Sequence, residues 1–318
     1  MRPLCHSPNH MQSTSSRGSA LLMVLWVVGF LTLLVTTAML VLRQDVETAA
    51  SQRTVSRTRC LAEMGLAIAV HPQVKPNDPL LRRKLNATES YEAIVTSEEG
   101  RLSLKTLLTE ERRSILERIF RQWGLKPLDA ESVVDAMMDW VDVDDLKRMK
   151  GVEHRDYLEM GLEDRPYNHA FLSLDEVALV AGMEQVEALH PNWRDEFTVF
   201  GQGQLDLNEA TAERIAVLLN VEPSLAESLV DQRMGLDSLA HTEDDKPLEN
   251  LEEVLASLGL SGELMQQAVG LVTLKGSTRR IESIGHMGDQ ERGLVVVFQN
   301  GGSGTPRVLE WKEFVPQR

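Results

Sequence analysis

Hydrophobic and polar positions divide the chain into an apolar start, a helical middle and a stranded end. Residues 19–42 carry no charged side chain and are mostly apolar, and the next charge is Arg43. As a helix this run is long enough to cross a hydrocarbon core of about 30 Å. Beyond Arg43 the chain is ordinary water-soluble sequence, so the pattern predicts one membrane anchor carrying one large domain on one side. No breaker interrupts residues 43–70. Val46, Ala50, Leu61, Met64 and Ile68 fall near one helical face, with Arg53 and Arg57 intruding between them. The anchor (19–42) is therefore expected to continue into water as a single long helix over 43–70. His71-Pro72 ends it, because a residue before proline is pushed out of the helical region, and Pro76 and Pro79 extend the break.

Beyond that break the period changes. Residues 91–104 alternate enough for a hairpin, with Ile94 and Val95 on one arm, Leu102 and Leu104 on the other, and Glu98-Glu99-Gly100 as the turn. A helical pattern then begins at Thr109. Ile115, Leu116, Ile119, Phe120 and Trp123 form a stripe to be buried, and Gly124 is a natural stop. Asp129 is a candidate cap for the helix that carries Val133, Val134, Met137 and Met138.

The middle repeats itself. Gly100-Arg-Leu-Ser-Leu104 recurs as Gly203-Gln-Leu-Asp-Leu207, and Ala130-Glu-Ser-Val-Val-Asp135 recurs as Ala226-Glu-Ser-Leu-Val-Asp231. Leu172-Ser-Leu-Asp-Glu-Val177 is echoed by Glu249-Asn-Leu-Glu-Glu-Val254. A repeat of this size predicts two similar helical units, at about 100–182 and 203–260, stacked to bury a shared core. The first holds a longer insertion, near residues 139–170. After Lys275 come three strand-like runs, around Ile281, Val296 and Leu309, with Asn300-Gly-Gly-Ser-Gly304 as the last loop. The expected fold is α+β. A sheet-bearing domain built from residues 71–104 and 273–318 packs on the long helix, and an all-helical domain at 105–272 is inserted into it.

Composition narrows the partners. The net charge of -15 disfavours a polyanion, because phosphate binding needs clustered Lys and Arg. Of the two cysteines, Cys5 lies before the anchor and Cys60 after it. Charge leaves the orientation open or reversed, since Arg2 and Arg17 precede the anchor while Arg43, Arg53, Arg57 and Arg59 come after it.

The junction is more informative. A secretory signal has a short apolar core and a small-x-small cleavage site after it. Here the run is too long and the small residue, Gly18, comes before it. A polar leader ending in Arg17-Gly18, followed by an apolar helix, resembles the type IV prepilin class of signals. That resemblance implies that a membrane peptidase cuts between Gly18 and Ser19, removing leader 1–18 with Cys5, and that the C-terminal bulk lies outside the cytoplasm.

Three groups of residues together resemble the minor pseudopilin K family of type II secretion systems, over nearly the whole chain. The first is Arg17-Gly18-Ser19-Ala-Leu-Leu with Val24-Leu-Trp26-Val. The second is Asp139-Trp140-x-Asp142-x-Asp144, then Gly151-Val-Glu153, Tyr157 and Pro166-Tyr-Asn168. The third is Leu205-Asp-Leu-Asn208-Glu-Ala210. The resemblance implies a pilin-like fold with a helical insert, and a structural subunit at the tip of a periplasmic pseudopilus. It also implies a single pass through the inner membrane and assembly with two smaller minor pseudopilins, through the anchor and the 48–68 face. Pilins and most pseudopilins carry glutamate at the fifth mature position, where it meets the terminal amine of the subunit added before. Here that position is Met23. A charge deep in a bilayer costs on the order of 3 kcal/mol unless it is paired. An apolar residue there therefore suits a subunit with none ahead of it. The rival readings are a minor tip pilin of a type IV pilus and a membrane-anchored helix-hairpin-helix nucleic-acid-binding protein.

The best candidate chemistry is the acidic segment. Asp142, Asp144 and Asp145 cluster, and Glu153 comes later. Hard oxygen ligands so spaced suit calcium, which takes about six to eight of them. Asp142, Asp144 and Glu153 stand at positions 1, 3 and 12 of an EF-hand count, but position 6 is Lys147 rather than glycine, which argues against a true EF-hand. The resemblance implies calcium in the inserted domain, with Asp142, Asp144, Asp145 and Glu153 as ligands and Asp139 and Asp156 as secondary candidates. Zinc through His154 and His169 lacks thiolates or paired-histidine spacing. The turns at Leu125-Lys126-Pro127 and Val221-Glu222-Pro223 carry too little positive charge for a phosphate-binding hairpin. The sequence holds no nucleophile elbow, phosphate loop or metalloprotease helix, and no enzymatic activity is expected.

Overall fold

The computed structural model describes residues 17–71, 73–299 and 306–316. The expected leader lies outside the described residues up to position 16, as do Pro72 and the glycine-rich loop at 300–304. The chain divides into two compact units, residues 1–57 and 58–318.

The first unit, as described, is helix. α1 runs Arg17–Ala69, and the part before Arg57 is long and apolar enough to cross a membrane. Met23 is exposed, as are its neighbours from Leu21 to Leu42. Inside this stretch the threonine hydroxyls are satisfied by the helix itself. Thr32 donates to the Gly29 carbonyl, Thr36 to Thr32 and Thr37 to Leu33, each at 2.8 Å. Such internal pairing is what a lipid environment demands of polar groups.

The second unit begins with the last turns of α1. Thr58, Leu61, Ala62, Gly65, Leu66 and Ala69 are buried, at spacings of three and four that put them on one stripe. Met64, expected on that face, is exposed instead. The stripe packs on an antiparallel sheet of β1 (Arg82–Lys84), β2 (Glu89–Ser97), β7 (Thr278–Met287), β8 (Gln290–Gln299) and β9 (Arg307–Phe314), in the order β1-β2-β7-β8-β9. Ala62, Leu66 and Ala69 meet Ala93, Val95, Ile281, Leu294, Val296 and Phe298 in one core. Close approach is set by two glycines. A Cβ on Gly285 would overlap the α1 backbone at Thr58 and Ala62, and one on Gly65 would strike Ser283 and Tyr91. Ser283 Oγ donates to the Ala62 carbonyl at 2.8 Å across this contact.

The expected hairpin at 91–104 does not form. β2 pairs with β1 and β7, not with the residues after Gly100. Glu98-Glu99-Gly100 is a 3-10 turn whose two carboxylates are buried, not a solvated tip. They secure the two chain crossings between sheet and insert. Glu99 accepts from the backbone N–H of Thr278 at 3.0 Å and from Ser277 Oγ at 2.9 Å, and Glu98 accepts from Thr198 Oγ1 at 2.7 Å.

The insert consists of two helical repeats. The first contains β3 (Leu102–Ser103), α2 (Leu104–Leu107), α3 (Arg113–Gln122), α4 (Pro127–Val141), α5 (His154–Glu159), α6 (Leu174–Val177), α7 (Met183–Leu189), α8 (Trp193–Glu196) and β4 (Phe197–Thr198). The second contains β5 (Leu205–Asp206), α9 (Ala212–Leu219), α10 (Pro223–Arg233), α11 (Leu251–Ser257), α12 (Gly262–Val269) and β6 (Val272–Thr273). Each repeat is closed by a short parallel bridge, β3 on β4 and β5 on β6. The two share one apolar core that includes Phe120, Trp140, Trp193, Ile215 and Leu255. The expected cap at Asp129 is corrected: Pro127 opens α4 with Lys126 as its cap, and Asp129 sits in the first turn. There its charge faces the positive end of the helix dipole.

Candidate metal centre

α4 carries Glu131, Asp135 and Asp139 one turn apart, and Asp142 caps its C-terminus. One buried side projects Trp140 into a cluster of rings. Its indole N–H donates to Glu176 Oε1 at 2.9 Å, and its ring meets Tyr157, Tyr167 and Phe171 with centroids 5.1–6.3 Å apart. Tyr157 O–H accepts from the Ala181 N–H at 3.1 Å, and burial pushes its pKa up to about 12. These contacts fix the end of α4 and the start of α5.

The segment between them folds back over the acidic side of α4. Arg148 Nη1 donates to Asp139 Oδ1 at 2.8 Å and to Asp142 Oδ2 at 2.5 Å. The N–H of Lys150 donates to Asp135 at 3.2 Å, and its ammonium pairs with Glu131. Asp135 is also ion-paired with Arg113 at 2.6 Å. Gly151 passes against the Asp139 carboxylate so closely that any Cβ there would overlap it. The fold-back brings Glu153 to the same spot, just before α5. One oxygen each of Asp139, Asp142 and Glu153 lie within 4.8 Å of one another.

This triad is electrostatically unfinished. Glu153 is only 4% exposed, and neither of its oxygens has a hydrogen-bond partner. The first-turn N–H groups of α5 approach its carboxylate without reaching hydrogen-bond geometry. Burial and the charges of Asp139 and Asp142 push its pKa up to about 7. Asp139 is fully buried and is held above the usual carboxylate range by that burial, despite its bonds to Arg148. Asp142 Oδ1 is likewise buried without a partner. Unpaired buried carboxylate oxygens are costly, and a hard divalent cation is the group that satisfies them. The donor set therefore fits calcium.

Of the sequence candidates, the structure brings together Asp142, Glu153 and the secondary candidate Asp139. Asp144 and Asp145 are exposed outside the triad, and Asp144 Oδ1 accepts from the Leu146 N–H at 2.8 Å. Asp156 pairs with Lys147 at 2.7 Å and accepts from the Glu153 N–H at 3.0 Å, which anchors α5 rather than joining the triad. His154 and His169 bond to the backbone carbonyls of Arg165 and Ala170. Sequence reasoning missed the parts played by Arg148 and Gly151. The spacing of Asp135, Asp139 and Asp142 on one helical face was the available signal for Asp139.

One comparison with known proteins falls on this same segment, and two span most of the chain. The family signature described as "Type II secretion system (T2SS), protein K" matches residues 100–192, which include the triad. A protein of Pseudomonas aeruginosa described as "Type II secretion system protein K" is 25% identical over 240 residues, spanning 73% of this chain and 67% of that protein. Among solved structures, a chain of the GspK-GspI-GspJ complex from enterotoxigenic Escherichia coli superposes with a TM-score of 0.60 at 15% identity. It covers 88% of this chain and 99% of its own length. That likeness supports the fold: a long helix, an antiparallel sheet and a helical insert.

Proposed function

We propose that this chain, whose residues 100–192 match the type II secretion system protein K signature, is a protein of that kind: the minor pseudopilin at the tip of the pseudopilus, supporting export of folded proteins across the outer membrane. Its role is assembly rather than catalysis. The observation that carries the reading is Met23, an apolar residue exposed on the anchor helix at the fifth position after Gly18. Every subunit that is followed and preceded in a stack can satisfy a buried glutamate there. A subunit that starts the stack cannot, and an uncharged side chain removes the penalty.

In this reading the anchor crosses the inner membrane and places residues 58–318 in the periplasm. Leader 1–18 is removed by the prepilin peptidase between Gly18 and Ser19. The partners are two smaller minor pseudopilins, a reading supported by the likeness to a chain of the E. coli GspK-GspI-GspJ complex. Asp139, Asp142 and Glu153 would hold calcium, which supplies the positive charge their buried oxygens lack and ties α4 to α5. Asp144 and Asp145, exposed outside the triad, would serve at most as outer ligands. Mass spectrometry of the membrane-extracted protein tests the processing. Ser19 is expected as the N-terminus, and a mature protein that still begins at Met1 would overturn the assignment.

A further inference from the structure

The triad faces a cation that belongs to the chain itself. Arg148 places one guanidinium nitrogen between Asp139 and Asp142, while its other side reaches Glu110 Oε1 at 3.3 Å through both Nε and Nη2. One positive charge thus meets two of the triad's three carboxylates. Glu153 is left out of the arrangement, 96% buried with both oxygens unpartnered and one of them within 4.8 Å of an oxygen of each aspartate. A guanidinium cannot serve all three groups. It is flat, and its N–H donors point along fixed directions, whereas a metal ion attracts oxygens from every side. The oxygens that Arg148 occupies are among those a divalent ion needs.

We propose that Arg148 is a built-in competitor at the cation site: its guanidinium and a divalent metal exclude each other from Asp139 and Asp142, so that this residue sets the affinity of the site and its preference for two charges over one. Glu110, 63% exposed at its side chain, keeps a partner for the guanidinium at the rim when its inner contacts are given up. The proposal rests on the calcium reading above and adds an energetic threshold to it. A monovalent ion would replace one positive charge with another and gain nothing. A divalent ion brings the second charge and reaches Glu153.

The measurement is calcium titration calorimetry on the full chain in detergent micelles after dialysis against a chelator. It compares the parent with Arg148→Met and Arg148→Lys. If the guanidinium holds the site about nine-tenths of the time, the parent's apparent affinity is reduced by about tenfold. Arg148→Met is then expected to bind calcium about tenfold more tightly, with Arg148→Lys between the two. Thermal melting gives the companion signature. In chelator Arg148→Met melts below the parent, because three carboxylates are left facing one another, and saturating calcium raises its melting temperature by more than the parent's. Equal or weaker calcium binding by both variants, with a parent that binds, overturns the role of Arg148 and leaves the calcium site standing. Binding by none of the three overturns the calcium reading and this inference with it. Should Arg148→Met fail to fold, Arg148→Lys carries the same comparison.

Discussion

Gly151 shows how tightly single residues define the acidic pocket. Its Cα lies where only hydrogen fits beside the Asp139 carboxylate, although no unusual backbone angle requires glycine. Gly151→Ala must push the carboxylate away from Arg148 or lift the loop from α4. Overpacking of this kind costs about 1–3 kcal/mol, so the melting temperature is expected to fall by several degrees. An unchanged melting curve would show that the loop yields freely. A second residue-scale effect lies in the other repeat. Glu209 has burial, and then the charge of Asp206, pushing its pKa up to about 8 from an ordinary 4.5. A carboxyl group raised in this way favours the folded state fully below pH 4.5. That contribution is lost as pH rises from there through about 8. Glu209→Gln cannot titrate, so the stability of the variant relative to the parent is expected to increase across that window and level off above it. A difference that stays constant from pH 4.5 to 8 would contradict the shift. Asp142 and Glu153 stood out in the sequence at positions 1 and 12 of an EF-hand count, whereas short spacing also picked out Asp144 and Asp145, which lie outside the triad. Arg148 did not stand out, because nothing in a linear sequence says which basic residue a loop will fold back onto its own acids.

The elements were legible where their period is clean. The long apolar helix arises from spacing alone, and the insert also holds two parallel bridges, β3 on β4 and β5 on β6. Those bridges are two residues long, and no alternation can announce so short a strand. The hairpin expected at 91–104 failed for a related reason. Alternation locates β2 but cannot name its neighbour, which is β7, far along the chain, since the insert separates them. The two glutamates are buried because Glu99 answers the Thr278 backbone N–H at the start of β7 and Glu98 answers the Thr198 hydroxyl on β4. The contact between α1 and β7 carries the clearest prediction at this scale. Gly285→Val places a branched side chain where the backbone of Thr58 and Ala62 already stands. Thermal melting is expected to show a loss of about 1–3 kcal/mol. Gly288→Ala, at a site with open space but a positive φ of 58°, should cost less. Equal losses at the two positions would mean that helix and sheet do not meet as closely as described.

At the scale of the whole molecule the features divide by task. Residues 17–57 supply a helix whose apolar stretch has internally paired threonine hydroxyls, the sheet gives the end of α1 a surface to bury, and the insert adds bulk and the Asp139, Asp142 and Glu153 triad. A bulky insert suits the end of a filament better than its repeating shaft. Met23→Glu is expected to reduce secretion without changing the melting of the protein, since it adds an unpaired carboxylate to the membrane stretch at a cost on the order of 3 kcal/mol. Unimpaired secretion would remove the argument from that position. The most direct measurement is electron microscopy of assembled pseudopili carrying a gold-labelled tag at the C-terminus of this chain. The tip assignment predicts a single label at one end of each filament. Labels spaced along the shaft, or filaments free of label altogether, would contradict it.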